Sequence, residues 1–260
     1  MASSRVWLDL GYGPRRFRGF RYGLARFVAR SLVRPFFRLR VEGLEQLPDG
    51  SSVACFNHLN WIDPLVVLAA MPANPTVYFF GPRELDMDVG LKNRLMRWAG
   101  NAVAYRPGNR DMVQAVRRVD ALMASGAVLA IAGEGRIHVG EAAIWALSDG
   151  PAVFALRNNV PIVPLAINGT SWLGFGRQIR VRIGAPVPTT GLDRRADTAR
   201  VTAEVQERLR LLVADFPELP PPGPAWARIT EMFNDWPEGT RPALDPGPDP
   251  APAVEVPGGD

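Results

Sequence analysis

The chain has few of the side chains from which metal centres and disulfide frameworks are built. Among its 260 residues there are one cysteine, Cys55, and two histidines, His58 and His138. A single cysteine excludes an internal disulfide and a cysteine-ligated zinc site, and it fits a reducing compartment. Two histidines are too few for a histidine-rich cluster, so no bound metal is expected.

Long apolar runs are also missing. No run of about 18 uncharged apolar residues occurs, so no transmembrane helix is predicted. The N-terminus does not resemble a signal peptide, because arginines interrupt its apolar stretches and no small-residue cleavage site follows them. Hydrophobic residues make up 47% of the chain and charged residues 22%. This balance is typical of a globular core and excludes disorder throughout, collagen and coiled coil.

The segment 1–40 is basic and aromatic, with ten arginines against the single acid Asp9. From Arg26 to Arg38 an arginine recurs every fourth residue, and the apolar residues follow the 3–4 spacing of an amphipathic helix. Such a helix either lies in a bilayer interface, where apolar area and anionic headgroups favour it, or packs on the domain with a solvated arginine face. Pro35 predicts that the helix ends or kinks just before it. No recognition module for nucleic acid is evident, so none is expected as a partner.

Strand-like runs alternate with helical patterns between residues 41 and 216. Strands are predicted at 41–44, 52–56, 76–81, 102–105, 128–132, 161–167 and 179–183, and helices at 65–71, 90–99, 110–125, 147–158 and 198–214. The alternation predicts a single α/β layered domain, a mostly parallel or mixed sheet flanked by helices, preceded by the amphipathic helix. Pro161 and Pro164 favour a sheet edge or a strand end for the run that contains them.

The C-terminal part of the chain differs in composition. Residues 217–260 contain 12 of the 25 prolines. A short helix at 225–236 is expected to dock, whereas 242–260 is predicted to be disordered. The chain is therefore divided into a basic membrane-associating segment (1–40), an α/β domain (41–216) and a proline-rich acidic tail (217–260).

The most informative motif is Asn-His-Leu-Asn-Trp-Ile-Asp-Pro at 57–64, between a predicted strand and a predicted helix. His58 and Asp63 are five residues apart and would not share a face of one straight helix, but they can meet across a strand-to-helix turn. Such a pair forms a general base, in which the carboxylate orients the imidazole and stabilises its protonated form. The ordinary alternative is a loop histidine followed by a helix N-cap aspartate with Pro64 at the first helical position.

Two other blocks place an arginine at the end of a predicted strand. Arg106 ends the run 100–106, and Glu134, Gly135 and Arg136 follow the strand at 128–132. Taken singly, strand-end arginines are usually solvated, so these blocks carry weight only in combination with the others.

In this order, the blocks resemble the glycerolipid acyltransferase family, typified by bacterial 1-acylglycerol-3-phosphate acyltransferase. The resemblance covers residues 40 to 190 or so. The family's four blocks are matched here by His58 and Asp63 (His-x4-Asp), by Arg106, in part by Glu134, Gly135 and Arg136, and by Val160, Pro161 and Pro164.

The resemblance implies transfer of a fatty acyl group from a thioester, on CoA or acyl carrier protein, to a lysophospholipid hydroxyl. It implies that His58 is the base, that Asp63 orients it, and that Arg106 and Arg136 bind the acceptor's phosphate. Glu134 and Gly135, next to Arg136 in the sequence, would shape the pocket for this phosphate. No cofactor beyond the acyl donor is expected. A peripheral, monotopic position on the cytoplasmic face of a membrane is also implied, which favours the interfacial interpretation of the N-terminal helix.

The third block departs from the family pattern. Ile137 occupies the usual arginine position, and Ala132-Gly133 replaces the usual Phe-Pro. This form is more similar to members that reacylate lysophospholipids such as 2-acyl-glycerophosphoethanolamine, so the acceptor is left open, as are acyl length, donor carrier and oligomeric state. Three alternatives remain. They are a non-catalytic lipid-binding protein on the same fold, a covalent route through Cys55, and a hydrolase, for which a Gly-x-Ser-x-Gly elbow is missing.

Overall fold

The computed structural model describes residues 15–82, 100–105 and 110–234; the helix predicted at 90–99 and Arg106 lie outside them. The helices are α1 Arg15–Phe36, α2 Asp63–Ala70, α3 Arg110–Ala124, α4 Gly150–Asn158, α5 Arg194–Val213 and α6 Pro224–Phe233. The strands are β1 Phe37–Glu42, β2 Ser52–Phe56, β3 Val77–Pro82, β4 Ala102–Tyr105, β5 Val128–Ala132, β6 Ile162–Asn168 and β7 Arg177–Ile183.

These strands form one sheet in the order β1-β7-β6-β2-β5-β3-β4. Neighbouring strands from β6 to β4 are parallel, whereas β7 runs antiparallel to β6 and parallel to β1. The prediction of a mostly parallel, mixed sheet is confirmed. The central strands β2, β5 and β6 are apolar along almost their whole length because helices cover both faces of the sheet.

Two apolar layers lie on opposite faces of the sheet. Successive side chains of a strand point to opposite faces, so Ala54 and Phe56 join one core while Val53 and Cys55 join the other. The first core is covered by α1, α2 and α6, and the second by α3, α4 and α5. Parallel β2 and β5 are adjacent, so their carboxyl ends meet at one edge of the sheet.

The prediction of an edge position is wrong for Pro164, because β6 lies between β2 and β7. Proline is tolerated there because the pairing with β7 is interrupted at this point. Ile162 pairs with Val187, and the continuous ladder resumes at Leu165. Between them the Pro164 carbonyl accepts a hydrogen bond from Gly184 N–H at 2.9 Å. The missing N–H of the proline therefore falls beside the bulge, at the end of the continuous ladder between β6 and β7.

Helix α1 runs through Pro35 to Phe36 and leads directly into β1, which spans position 40. Its buried side chains include Tyr22, Ala25 and Ala29, so the helix packs on the domain. Among the described residues, no helix combines the length and the apolar character of a membrane span.

Two arginines of α1 are directed inward, which neither interpretation of the basic segment anticipated. Arg26 donates to the carbonyl of Met71 from Nε (3.1 Å) and from Nη2 (2.8 Å). Arg30 donates to the carbonyl of Ala69 at 3.0 Å. Both carbonyls belong to the C-terminal end of α2, where backbone acceptors have no helical partner. These two arginines therefore cap α2.

The first part of the proline-rich tail also docks. Helix α6 packs against the core through Trp226, Ile229 and Phe233. The side chain of Thr230 accepts from Leu173 N–H at 2.9 Å, and that of Asn234 accepts from the N–H of residue 61 at 2.9 Å. The predicted disorder at 242–260 lies outside the described residues.

Candidate active site

The turn from β2 to α2 brings His58 and Asp63 together. Nδ1 of His58 lies 2.9 Å from Oδ2 of Asp63. The same oxygen accepts from Leu59 N–H at 2.7 Å and from Asn60 N–H at 2.8 Å. The carboxylate thus points back into the turn, and the N-cap position belongs to Ile62, which makes no side-chain cap. The expectation of a plain N-cap aspartate is wrong.

Burial makes the contact with Asp63 electrostatically strong. The Asp63 side chain is completely buried, whereas 12% of the His58 side chain is exposed. A buried carboxylate requires donors, and Oδ2 has three. Because an ionised carboxylate only accepts, Nδ1 of His58 carries the proton that faces it, and Nε2 is assigned as the basic nitrogen.

The asparagines of the motif hold the turn in place. Asn57 pairs with the backbone of Ile167, donating to its carbonyl at 3.0 Å and accepting from its N–H at 2.7 Å. This exchange ties the start of the turn to the end of β6. The side chain of Asn60 accepts from Ile62 N–H at 3.1 Å and closes the turn ahead of α2.

Glu134 follows β5 and reaches across to the neighbouring turn after β2. Its Oε2 accepts from the backbone N–H of His58 at 2.8 Å. Its Oε1 accepts from Trp145 N–H at 2.9 Å and lies 2.8 Å from Nε2 of His138. The carboxylate is buried and has three protein contacts, one of which is the backbone N–H of His58.

Gly135 and Arg136 lie at the surface of the same loop. Gly135 has φ +66 with no atom near an added Cβ, so the left-handed turn itself requires glycine. The guanidinium carbon of Arg136 lies 4.1 Å from the centre of the Trp145 ring. That ring stacks on His138 with centroids 5.0 Å apart. The described part of the site therefore joins His58, Asp63 and Glu134 directly, and Arg136 through Trp145.

Cys55 is fully buried beneath this loop. Burial raises the pKa of its thiol well above the usual range. A thiol held in this state is a poor nucleophile. The side chain also packs in the core layer opposite Phe56, so the covalent route through Cys55 has no structural support.

Sequence reasoning missed Glu141, which anchors the far end of the loop. Its Oε2 accepts from Gly169 N–H at 2.7 Å and from Asn168 Nδ2 at 3.0 Å, and its Oε1 contacts the Ser171 hydroxyl. Burial raises the pKa of Glu141 to about 7, and hydrogen bonds from Ser171 and Gly169 limit the rise. The roles of His138 and Trp145 were missed as well. The only signal was the presence of a second histidine four residues after Glu134.

The fold and the site define a class of protein. A family profile described as Acyltransferase matches residues 38–168, a span that includes His58, Asp63 and the Glu134–Arg136 block. The chain belongs to this acyltransferase family, and the family assignment made from the sequence blocks is confirmed.

A solved structure shares the fold. The crystal structure of the 1-acyl-sn-glycerophosphate (LPA) acyltransferase PlsC from Thermotoga maritima is similar with a TM-score of 0.60 and 20% sequence identity. The match covers 82% of this chain and 88% of the PlsC chain. At this identity the likeness shows a common architecture.

Proposed function

We propose that the protein is an O-acyltransferase that moves a fatty acyl group from acyl-CoA or acyl carrier protein to the hydroxyl of a lysophospholipid. The acceptor is 1-acylglycerol-3-phosphate or a related lysolipid. The observation that carries this proposal is the 2.9 Å contact between Nδ1 of His58 and the buried carboxylate of Asp63. Membership of the acyltransferase family and the PlsC-like fold support it.

In the proposed reaction, His58 acts twice. Its Nε2 takes the proton of the acceptor hydroxyl while the oxygen attacks the thioester carbonyl carbon. Asp63 stabilises the imidazolium that forms. The tetrahedral intermediate then collapses, the C–S bond breaks, and the leaving thiolate takes the proton from the imidazolium. The products are an ester and a free thiol, and His58 returns to its starting state.

The acceptor's phosphate is assigned to Arg136, together with Arg106. A guanidinium offers planar, bidentate donors that match phosphate oxygens. Arg136 lies against Trp145, which limits the orientations of its guanidinium. Because the arginine of this block stands at position 136 and Ile137 occupies the usual arginine position, the guanidinium starts from a different point of the loop, and the acceptor's headgroup is left open between phosphate and a larger group.

Membrane association is assigned to the outer face of α1. Phe20 and Phe27 are 67% and 66% exposed, and Leu32 and Phe36 are exposed on the same helix. Phe36 packs edge-on against Phe175, which is 71% exposed. Phe20 and Phe27, seven residues apart and therefore on one side of α1, are termed the aromatic face. Exposed apolar patches rimmed by arginine favour the interface of an anionic bilayer. The protein would then act as a peripheral enzyme on the cytoplasmic face.

The first experiment measures release of free thiol from an acyl thioester with a panel of acceptors. The panel contains lysophosphatidic acid, lysophosphatidylethanolamine and no acceptor. Replacement of His58 by alanine is expected to lower turnover by about 10²- to 10⁴-fold with an unchanged unfolding transition. Thiol release without an acceptor would identify a hydrolase. Lipid binding without thiol release by the unmodified protein would favour the non-catalytic alternative.

The second experiment tests the aromatic face by flotation with anionic liposomes. Phe27→Asp is expected to reduce the bound fraction, because it places a charge in the apolar contact. Leu211→Asp is the matched control, since Leu211 on α5 is 67% exposed, as much as Phe27. Equal flotation of the two variants would contradict the assignment to α1.

A further inference from the structure

His138 is a buried histidine that the proposed reaction does not use. It lies four residues after Glu134 and is completely inaccessible to solvent. Its Nε2 is 2.8 Å from Oε1 of Glu134, and its ring stacks on Trp145 with an interplanar angle of 18°. Its backbone N–H donates to the carbonyl of His58 at 2.9 Å.

Glu134 and His138 together bind both backbone polar groups of His58. The N–H of His58 donates to Glu134 at 2.8 Å, and the carbonyl of His58 accepts from His138 at 2.9 Å. The side chain of His58 is held separately by Asp63. The backbone position of the proposed base therefore depends on where the Glu134 carboxylate lies, and that carboxylate is held by the ring of His138.

The hydrogen bonds determine how the ring of His138 is oriented. Nε2 faces a carboxylate that also accepts two backbone N–H groups, so Nε2 carries a proton. Nδ1 is buried and has no hydrogen-bond partner among the described residues. The ring has no contact with solvent for proton exchange during turnover. The ring therefore serves as a hydrogen-bond donor to Glu134, held in one orientation by stacking on Trp145.

We propose that His138 is a positioning residue: through Glu134 it holds the backbone of His58 so that the imidazole is aligned between Asp63 and the acceptor hydroxyl. This inference rests on the proposed function. A small displacement of a reacting group costs a large factor in rate, of the order of 10² for about 1 Å. Loss of the positioning by His138 is therefore expected to lower kcat. Binding of the acceptor is assigned instead to Arg136, which packs on Trp145, the ring that stacks on His138.

Two substitutions at His138 distinguish the contribution of the hydrogen bond to Glu134 from that of the ring stacked on Trp145. His138→Phe keeps a planar ring against Trp145 and removes the N–H donor to Glu134. His138→Gln removes the ring and keeps an N–H donor near the position of Nε2. We expect kcat to fall by about 10- to 100-fold in the phenylalanine variant, with KM for the acceptor within about twofold. The glutamine variant is expected to retain kcat within about threefold.

The second readout is independent of activity. The chain has only two histidines, so ring-labelled histidine gives two sets of nitrogen signals in the whole protein. In the unmodified protein, His138 is expected as the Nε2–H form. In His138→Phe, the His58 ring and backbone amide signals are expected to move, and in His138→Gln to stay close to their original positions.

Several results would overturn the proposal. One is an Nδ1–H form of His138 in the unmodified protein, a measurement that needs no variant. Others are unchanged kcat and unchanged His58 signals in His138→Phe, or equal losses of kcat in both variants that parallel their losses of stability. Absence of acyl transfer by the unmodified protein would remove the proposed function, while the His58 signals would still report whether His138 holds that backbone.

Discussion

Replacing Asp63 by asparagine tests the proposed base with a change of very few atoms. In the native turn, Oδ2 accepts from His58 Nδ1 and from the backbone N–H groups of Leu59 and Asn60. The amide oxygen of asparagine must stay at this position, because its NH2 group would face two N–H donors. The NH2 group therefore replaces Oδ1, which is buried without a hydrogen-bond partner among the described residues.

The substitution is expected to affect rate more than stability. When His58 takes up a proton, its charge lies 2.9 Å from the carboxylate; at an effective dielectric constant of about 20, their attraction is about 6 kcal/mol. Loss of most of this stabilisation predicts a fall in kcat of about 10³- to 10⁴-fold. A buried amide without an acceptor costs about 1–3 kcal/mol of unfolding free energy.

The assay compares kcat for thiol release with the unfolding free energy from urea titration. Asp193→Asn is the matched control, because the side chain of Asp193 caps α5 by accepting from Arg195 N–H and Ala196 N–H, both at 2.9 Å. This control is expected to lose up to about 1 kcal/mol and to keep kcat. If folded Asp63→Asn protein retained kcat within about tenfold of the unmodified enzyme, the charge of Asp63 would not act on His58 and the reasoning would fail.

Two further predictions concern stability. Arg26→Met is expected to lower the unfolding free energy by about 1–3 kcal/mol, because the carbonyl of Met71 loses its donors; exposed Arg34→Met is the control, and an equal loss there would contradict the capping role. Burial raises the pKa of Glu141 from 4.5 to about 7. The folded state therefore binds the proton more tightly, and stability falls by about 3 kcal/mol as pH rises between these values. Urea titrations against pH should show this slope in the unmodified protein and lack it in Glu141→Gln; equal slopes would contradict it.

The parts of the site that were predictable from sequence are those determined locally. His58 and Asp63 meet because a strand ends at Phe56 and a helix begins at Asp63, and both boundaries follow from apolar runs and Pro64. The five-residue spacing then leaves a short turn whose two ends converge. Neighbouring residues and two secondary-structure boundaries are enough for this inference.

Other features depend on contacts between distant segments. The link from Glu134 to His58 exists because β2 and β5 are adjacent, a pairing that no local pattern encodes. The arginine spacing in α1 correctly predicts a helix, but the direction of Arg26 depends on the position of the end of α2. Likewise, the proline rule fails at Pro164 because the interruption that accommodates it is contributed by the chain after β7.

One departure of the third block from the family pattern, Gly133 in place of the usual proline, fits the packing around it. At Gly133, an added Cβ would come within 2.7 Å of Cys55 Sγ and 2.9 Å of a Leu147 methyl carbon. A proline there would also remove the N–H that donates to Phe56 at 2.9 Å. A proline at position 133 would therefore require the side chains of Cys55 and Leu147 to shift. Glycine at this position fits the side chains packed beneath it, and the contact between His58 and Asp63 is formed in its presence. Ile137 is a separate change, and it bears on the acceptor.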